Sequence, residues 1–149
     1  MTRIDILRRQ HDDALAMAQR LLELVDQFQP GQTASPIVLQ LNRLHGLLRI
    51  HFAHEDFELY PRLVSSPDPK IARIAQGFVD EMGALASEIE CFARHWPSSA
   101  SIAANFDEFR EAVNELMLAL AVRIERENRL LFPLLAGDGV APEDRRDAA

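Results

Sequence analysis

Apolar residues recur every three or four positions through four long stretches of this chain, and no stretch alternates strictly between apolar and polar residues. The first pattern is typical of amphipathic helices, and strict alternation would indicate strands. The sequence therefore predicts four helices and no strand, with the helices covering about residues 2–29, 35–64, 68–96 and 101–135.

Prolines and glycines mark the predicted helix boundaries. Ser35 and Asp68 each precede a proline, which is the arrangement of an N-cap followed by the first helical residue. Gly137 is expected to cap the last helix. Pro61 and Pro133 fall in the last turns of the second and fourth helices, where a proline should kink or end the helix.

Short connections force neighbouring helices to run antiparallel, so an all-α, up-down-up-down four-helix bundle is predicted. A chain of 149 residues, 48% of them hydrophobic, fits one domain that buries roughly 68 to 70% of its unfolded surface. We expect the bundle to span residues 1–137 and to be followed by a short charged tail, 138–149.

Composition excludes several classes of function. The net charge of −7 and the pI near 5.2 argue against nucleic-acid binding, which requires clustered basic surface. No stretch approaches the roughly 20 apolar residues that span a bilayer, and the N-terminus becomes charged too early for a secretory signal. A cytoplasmic protein without membrane partners is expected. Cys91 is the only cysteine, which excludes an internal disulfide, and we predict it to be a small core residue.

Ionisable residues interrupt three of the four apolar stripes at one level of the bundle. His11 lies on the first stripe, His51 and Glu55 on the second, and Arg123 and Glu127 on the fourth. Residues four apart project from the same face of a helix, so an imidazole and a carboxylate at this spacing can bind one ion. A buried carboxylate loses several kcal/mol of solvation. Each glutamate must therefore pair with a metal, an arginine or a shared proton.

Two segments that contain these pairs look like copies of each other. Residues 51–61 read HFAHEDFELYP and residues 123–133 read RIERENRLLFP. Glu55 of the first segment matches Glu127 of the second, and both segments end in a leucine, an aromatic residue and a proline. His51 falls where the second segment has Arg123. One copy thus carries a metal-ligand pair, and the other carries a salt-bridge pair.

The remaining histidines lie off the apolar stripes. We predict that His45, His54 and His95 are on the surface. His54 and Glu58 form a second histidine–glutamate pair at helical spacing, which would move the site by three residues. The copied segment favours the first register, because its matching carboxylate aligns with Glu55.

A histidine in helix one, a His-x3-Glu pair before an aromatic residue and a proline in helix two, and the matching glutamate in helix four together resemble the hemerythrin-like (HHE cation-binding) family. The resemblance covers nearly the whole chain. It implies a bundle around two iron ions bridged by two carboxylates, and the binding of dioxygen or the sensing of iron, oxygen or nitric oxide. The residues that match the family's ligands are His11, His51, Glu55 and Glu127.

Two positions depart from the family pattern, because Met82 and Arg123 stand where the family has histidines. The retained histidines serve one iron in that pattern, and the lost ones serve the other. We therefore predict a mononuclear half-site with two nitrogens and two or more oxygens, a ligand set that suits Fe(II), Mn(II) or Zn(II). The guanidinium of Arg123 is expected to substitute electrostatically for the second ion, while Met82 marks a lost ligand position and is predicted to fill the core.

Two functions remain open at this point. The first is a mononuclear metal-binding protein in sensing or stress response, with iron as the first candidate metal, zinc or manganese as alternatives, and a small diatomic molecule as a candidate ligand. Reversible oxygen carriage is not expected, because it draws two electrons from a dinuclear centre. The second is a metal-free bundle in which Arg123 bridges Glu55 and Glu127, with an interaction or scaffold role. An enzyme is the weaker interpretation, because no further acid, base or nucleophile faces inward at this level.

Overall fold

The computed structural model describes residues 1–135, and it is helical almost throughout, with no strand in that range. Its α-helices are α1 (Arg3–Gln27), α2 (Ser35–His54), α3 (Tyr60–Val64), α4 (Pro69–His95), α5 (Ser99–Ala104), α6 (Phe106–Arg126) and α7 (Phe132–Leu135). Two π-helical turns join them: Glu55–Leu59 links α2 to α3, and Glu127–Leu131 links α6 to α7. The predicted cap at Gly137 and the tail 138–149 lie outside the described residues.

These elements form the predicted up-down-up-down four-helix bundle. Its four long rods are α1, α2 with α3, α4, and α6 with α7. Helix α1 packs against α2 and α6, and α4 packs against α3 and α6. Since α1 and α6 touch, the first and last rods are neighbours, and this closes the bundle around one axis.

Of the two N-caps that the sequence predicted, Asp68 is confirmed and Ser35 is wrong. The Thr2 side chain caps α1, and the Asp68 carboxylate caps α4 by accepting the backbone N–H of Lys70. Ser35, by contrast, is not an N-cap. It is the first helical residue after Ala34, and its hydroxyl lies 2.8 Å from Oγ1 of Thr33.

The fourth predicted helix is two helices in the structure. It begins at Ser99 rather than near residue 101, because the hydroxyl of Ser98 caps its first turn by accepting the N–H of Ser101. The helix then breaks at Asn105, whose backbone is non-helical at φ −134° and ψ 53°. Asparagine side chains compete for backbone hydrogen bonds and favour such breaks.

The two π-helical turns replace the predicted kinks. In each, the backbone N–H of an aromatic residue donates to the carbonyl of the glutamate five residues earlier, from Tyr60 to Glu55 and from Phe132 to Glu127. A proline follows each aromatic residue. A proline ring clashes with the carbonyl four residues before it in an α-helix, and the wider turn avoids that clash. The helix axis can thus continue past Pro61 and Pro133.

The bundle has two apolar clusters. The larger lies among α1, α2, α4, α5 and α6, and the smaller surrounds the ionisable side chains near α3 and α7. The members of the smaller cluster are Leu7, Leu59, Tyr60, Leu63, Ala75, Phe78, Met82, Leu131 and Phe132. Cys91 is exposed, so its predicted place in the core is wrong. No helix in residues 1–135 is long and apolar enough to cross a membrane.

Candidate metal centre

Five ionisable side chains are buried together, as their places on the apolar stripes predicted. The exposed fraction is 0% for His11 and Glu55, 1% for Glu127, 3% for His51 and 6% for Arg123. The two histidines come from α1 and α2, Arg123 comes from α6, and each glutamate is the first residue of a π-helical turn. Three of the four rods therefore contribute ionisable groups to this layer.

Four of these residues point ligand atoms at one another. His11, His51, Glu55 and Glu127 each offer one nitrogen or oxygen, and these atoms lie within 4.8 Å of one another. Nε2 of His11 is 3.0 Å from Nε2 of His51 and 2.9 Å from Oε2 of Glu127. The four side chains are thus arranged around a common point.

The outer nitrogens of both imidazoles are held by side-chain amides. Nδ1 of His11 donates to Oδ1 of Asn128 at 2.8 Å, and Nδ1 of His51 donates to Oε1 of Gln10 at 2.9 Å. The amide nitrogen of Gln10 in turn donates to Nδ1 of His54 at 3.0 Å. Since amide oxygens only accept, these bonds place a hydrogen on each Nδ1 and direct each Nε2 toward the centre, as in metal-binding histidines.

The carboxylate of Glu55 lacks hydrogen bonds. Its Oε1 forms an ion-pair contact with Nε2 of His51 at 2.8 Å, and among residues 1–135 neither oxygen has a hydrogen-bond partner. A buried carboxylate without a donor is costly. The groups of the described chain that can bring a proton to these oxygens are the imidazoles of His51, at 2.8 Å, and His11, at 3.9 Å, and a bound cation would serve the same need.

The carboxylate of Glu127 is shared between two groups of partners. Its Oε2 faces Nε2 of His11, while its Oε1 accepts from Nε of Arg123 at 2.6 Å and from the hydroxyl of Tyr60 at 3.0 Å. Burial raises the pKa of Tyr60, so the phenol stays protonated and can donate. Glu127 is therefore fully satisfied on the Arg123 side and reaches the histidines with its other oxygen.

Arg123 is fixed on several sides. Its Nη2 donates to the hydroxyl of Tyr60 at 2.6 Å and to the carbonyl of Phe78 at 2.7 Å, and its Nη1 lies 3.4 Å from a carboxylate oxygen of Glu81. The guanidinium also lies over the Phe78 ring, 4.8 Å from its centroid. No ion pair joins Arg123 to Glu55 in the described chain, so the bridge that the metal-free alternative predicted is wrong: of the two buried glutamates, Arg123 contacts only Glu127.

The buried charges shift one another's protonation. Burial lowers the pKa of His11, but its contacts with Glu127 and Glu55 outweigh burial and raise that pKa to about 9. The pKa of His51 is raised by the same balance. Burial and the charge of Glu127 raise the pKa of Glu55. Burial also acts to raise that of Glu127, but its histidine partners and Arg123 hold the pKa well below its usual value. A proton and a cation thus compete for the same imidazole lone pairs.

The donor set fits a divalent transition metal. Two imidazole nitrogens and the oxygens of two glutamates converge, and this mixture suits iron, manganese and zinc. The unpartnered oxygens of Glu55 are the groups that a cation would satisfy. The four residues could therefore hold a metal ion.

Comparison with known protein families matches residues 2–135 to the hemerythrin HHE cation binding domain. The chain belongs to this family. Neither the curated proteins nor the solved structures with which the chain was compared gave a match. Membership agrees with the helical bundle and with the histidine–glutamate cluster that could bind a metal.

The remaining predicted positions of this hemerythrin domain divide into two groups. Met82 is buried, 5% exposed, in the apolar cluster beside the centre, as expected of core filler. His95 is exposed as predicted, but His45 and His54 are half-buried rather than on the surface. Glu58 is exposed, so the alternative register built on His54 does not bring its carboxylate inward.

Sequence reasoning missed the residues that orient the ligands. Gln10 and Asn128 each stand directly beside a ligand in the sequence, next to His11 and Glu127, and that adjacency was the available signal. Tyr60 was recognised only as the aromatic residue of the copied segment. Its hydroxyl, which joins Arg123 to Glu127, distinguishes it from Phe132 in the other copy.

Proposed function

We propose that this hemerythrin domain binds one divalent transition metal ion per chain and uses its metal occupancy in a sensing or stress-response role. The proposed ligands are His11, His51, Glu55 and Glu127. Iron is the first candidate metal, with zinc and manganese next. The observation that carries the proposal is the convergence of four buried ligand atoms within 4.8 Å of one another.

Arg123 takes the part of a second cation in this proposal. The two oxygens of Glu127 divide between the histidines, with Oε2 at 2.9 Å from His11, and the guanidinium, with Oε1 at 2.6 Å from Nε of Arg123. A carboxylate that bridges two ions in the family would here bridge one ion and one fixed organic charge. Arg123 also donates to Tyr60 and to a backbone carbonyl, so moving its guanidinium would break these hydrogen bonds.

A single ion held by these four residues would supply Lewis acidity and, if it were iron, one redox electron, which is too few for oxygen carriage. The chain's own residues supply the rest. Gln10 and Asn128 keep the imidazoles in the tautomer that offers Nε2, and the surrounding apolar cluster limits the access of water to the centre. In this role the fraction of chains that hold a metal ion, rather than a catalytic rate, would be the signal that the protein reports.

A metal-free bundle with an interaction or scaffold role is the second candidate. It is favoured by one observation, the complete satisfaction of Glu127 by Arg123, Tyr60 and His11. It leaves the carboxylate of Glu55 buried without a hydrogen bond, and a shared proton would have to serve it.

Elemental analysis of the full chain, purified without chelator, tests the choice. We expect about one transition metal ion per chain in the wild type and none in His51→Ala. His95→Ala removes an exposed histidine and serves as the matched control, which should keep the ion. A ligand at 100 times its dissociation constant stabilises the native state by about 2.7 kcal/mol, so a chelator should lower the melting temperature of the wild type and leave that of His51→Ala unchanged.

Two results would count against the mononuclear centre. Two metal equivalents per wild-type chain would mean that Met82 and Arg123 do not disable the second position. No bound metal after reconstitution, together with a melting temperature that neither chelator nor added metal changes, would favour the metal-free bundle.

A further inference from the structure

A cavity of about 130 Å³ opens between α2, α4 and α6, on the opposite side of the metal-binding layer from α3 and α7. Most of its wall is aliphatic or aromatic surface, contributed by the buried Leu44, Leu48, Trp96, Leu116 and Leu120 and the half-buried Phe92. Leu48 and Leu120 each lie one helical turn before a residue of the metal-binding layer, His51 and Arg123. The cavity is thus a separate space that no proposed metal ligand lines.

This space does not suit water. Protein interiors contain few voids larger than a water molecule, and a buried water needs about two to four polar partners. The buried part of the lining offers aliphatic side chains, the thioether of Met117 and the indole of Trp96, whose N–H is a donor but not an acceptor. An apolar cavity of about 150 Å³ can take a molecule the size of benzene, and this one is close to that volume.

Polar groups occur at the rim. Asn42 and His45 of α2 line the cavity there, and Nε2 of His45 lies 3.2 Å from a carboxylate oxygen of Glu90 on α4. The amide and the imidazole can each bond one polar group of a molecule whose apolar part lies deeper. The carboxylate of Glu90 and the net charge of −7 disfavour an anion at this rim.

We propose that this cavity binds a small single-ring aromatic molecule that carries one uncharged hydrogen-bonding group and has about the size of phenol. The ring would pack against Phe92 and Trp96, and Met117 would add a sulfur–aromatic contact. The polar group would bond to Asn42 or His45. The proposal does not depend on the metal centre, and its test has a separate readout.

Trp96 is the only tryptophan of the chain and lines the cavity, so its fluorescence reports occupancy directly. Titration of the full-length protein with phenol should give a saturable change in Trp96 emission, with a dissociation constant of about 0.1 to 1 mM. Ala93→Phe places a ring at the cavity rim from exposed α4 surface and should weaken binding at least about tenfold. Ala84→Phe makes the same change elsewhere on exposed α4 and should leave binding unchanged.

His45→Phe blocks the rim from α2 and provides a second plugged variant in case Ala93→Phe does not fold. Benzene tests the polar contact: it should bind about two- to tenfold more weakly than phenol, and His45→Ala with Asn42→Ala should remove that difference. A non-saturable signal in the wild type, or undiminished binding in both folded plugged variants, would overturn the cavity as a binding site. Equal binding of benzene and phenol would overturn the assigned ligand class. Metal content, measured in the same samples, should be the same in all variants.

Discussion

Residues 51–61 and 123–133 have the same local structure and different chemistry. In both segments a buried glutamate begins a π-helical turn, a buried leucine and aromatic residue follow, and a proline comes next. The residue one turn before the glutamate differs, since it is His51 in one segment and Arg123 in the other. The difference places an imidazole, which can accept a proton or ligate a metal, beside Glu55 and a permanently charged guanidinium beside Glu127.

The effect on the two carboxylates is opposite. Glu55 keeps two oxygens without hydrogen bonds, and burial and the charge of Glu127 raise its pKa. The pKa of Glu127 is lowered against the effect of burial, first by His11 and His51 and then by Arg123. The backbone therefore fixes where each carboxylate lies, and the side chains around it, including the residue one turn before it, set its protonation. Two segments with the same backbone structure can in this way carry different side-chain chemistry.

The largest effect is expected when the two segments are made chemically alike. Met82→His on α4, combined with Arg123→His in the second segment, gives both positions the histidines of the family pattern and removes the competing guanidinium. We expect iron per chain to rise from about one toward two after anaerobic reconstitution, measured by elemental analysis. An unchanged stoichiometry with the fold intact would show that backbone or packing, rather than Arg123, excludes a second ion.

Removal of the charge of Arg123 alone should cost the most stability. Arg123→Met keeps an apolar stem but leaves Glu127 without its cation, and breaking a buried pair in this way costs about 3 to 5 kcal/mol. Urea unfolding of the metal-free protein measures the loss, and added metal should restore part of it. Arg126→Met is the matched control, because Arg126 contacts the same Glu81 and lies over the same ring of Phe78 but is partly exposed. That control should lose less than about 1 kcal/mol, and equal losses would contradict the assigned role.

The amides that orient the imidazoles should affect metal affinity more than stability. Gln10→Leu and Asn128→Leu each remove the acceptor of a histidine Nδ1–H, a change that typically weakens metal binding about 10- to 100-fold. Competition with a chelator of known affinity measures the effect. Gln32→Leu, at an exposed loop glutamine, should leave affinity as it is. If the two site variants matched that control, the amides would not be setting the tautomer.

The smallest predicted effect comes from the hydroxyl that separates Tyr60 from Phe132. Tyr60→Phe makes the two segments alike at this position and removes one bond to Glu127 and one to Arg123. We expect a loss of about 1 to 2 kcal/mol in the free energy of unfolding. In an Arg123→Met background the same change should cost less, because the two side chains share one network. Additive losses would show that they act independently.

The bundle was predictable because apolar residues recur at helical spacing along the chain. The inward charges were predictable because five ionisable residues lie on the same apolar stripes. The details that failed depend on single hydrogen bonds. Helix α5 begins at Ser99 rather than near residue 101, and α2 is preceded by Ala34 rather than capped by Ser35. Both differences change a helix boundary and leave the apolar stripe of the helix unchanged. The exposure of Cys91 was missed because a small apolar residue can lie on either face.

The spacing of the site residues along the helices was predictable from the sequence. The partner that each side chain contacts was not. Helical periodicity identifies which residues share a face, and it brought His11, His51, Glu55 and Glu127 together. It does not say which carboxylate an arginine reaches. In the metal-free alternative Arg123 bridges Glu55 and Glu127, whereas in the described structure it contacts Glu127 and Glu81. That choice depends on Tyr60 and the Phe78 carbonyl, which hold the guanidinium from neighbouring helices.

The π-helical turns near the centre constrain how many residues each turn contains more than which residues these are. Each turn contains one residue more than an α-helical path would need, and one residue corresponds to about 100° of rotation along a helix. Loss of a residue between Glu55 and Leu59 would rotate all of α3 about its axis and carry Tyr60 away from Arg123. Phe57, 83% exposed, should thus accept almost any side chain, whereas its deletion should disrupt contacts on the far side of the bundle.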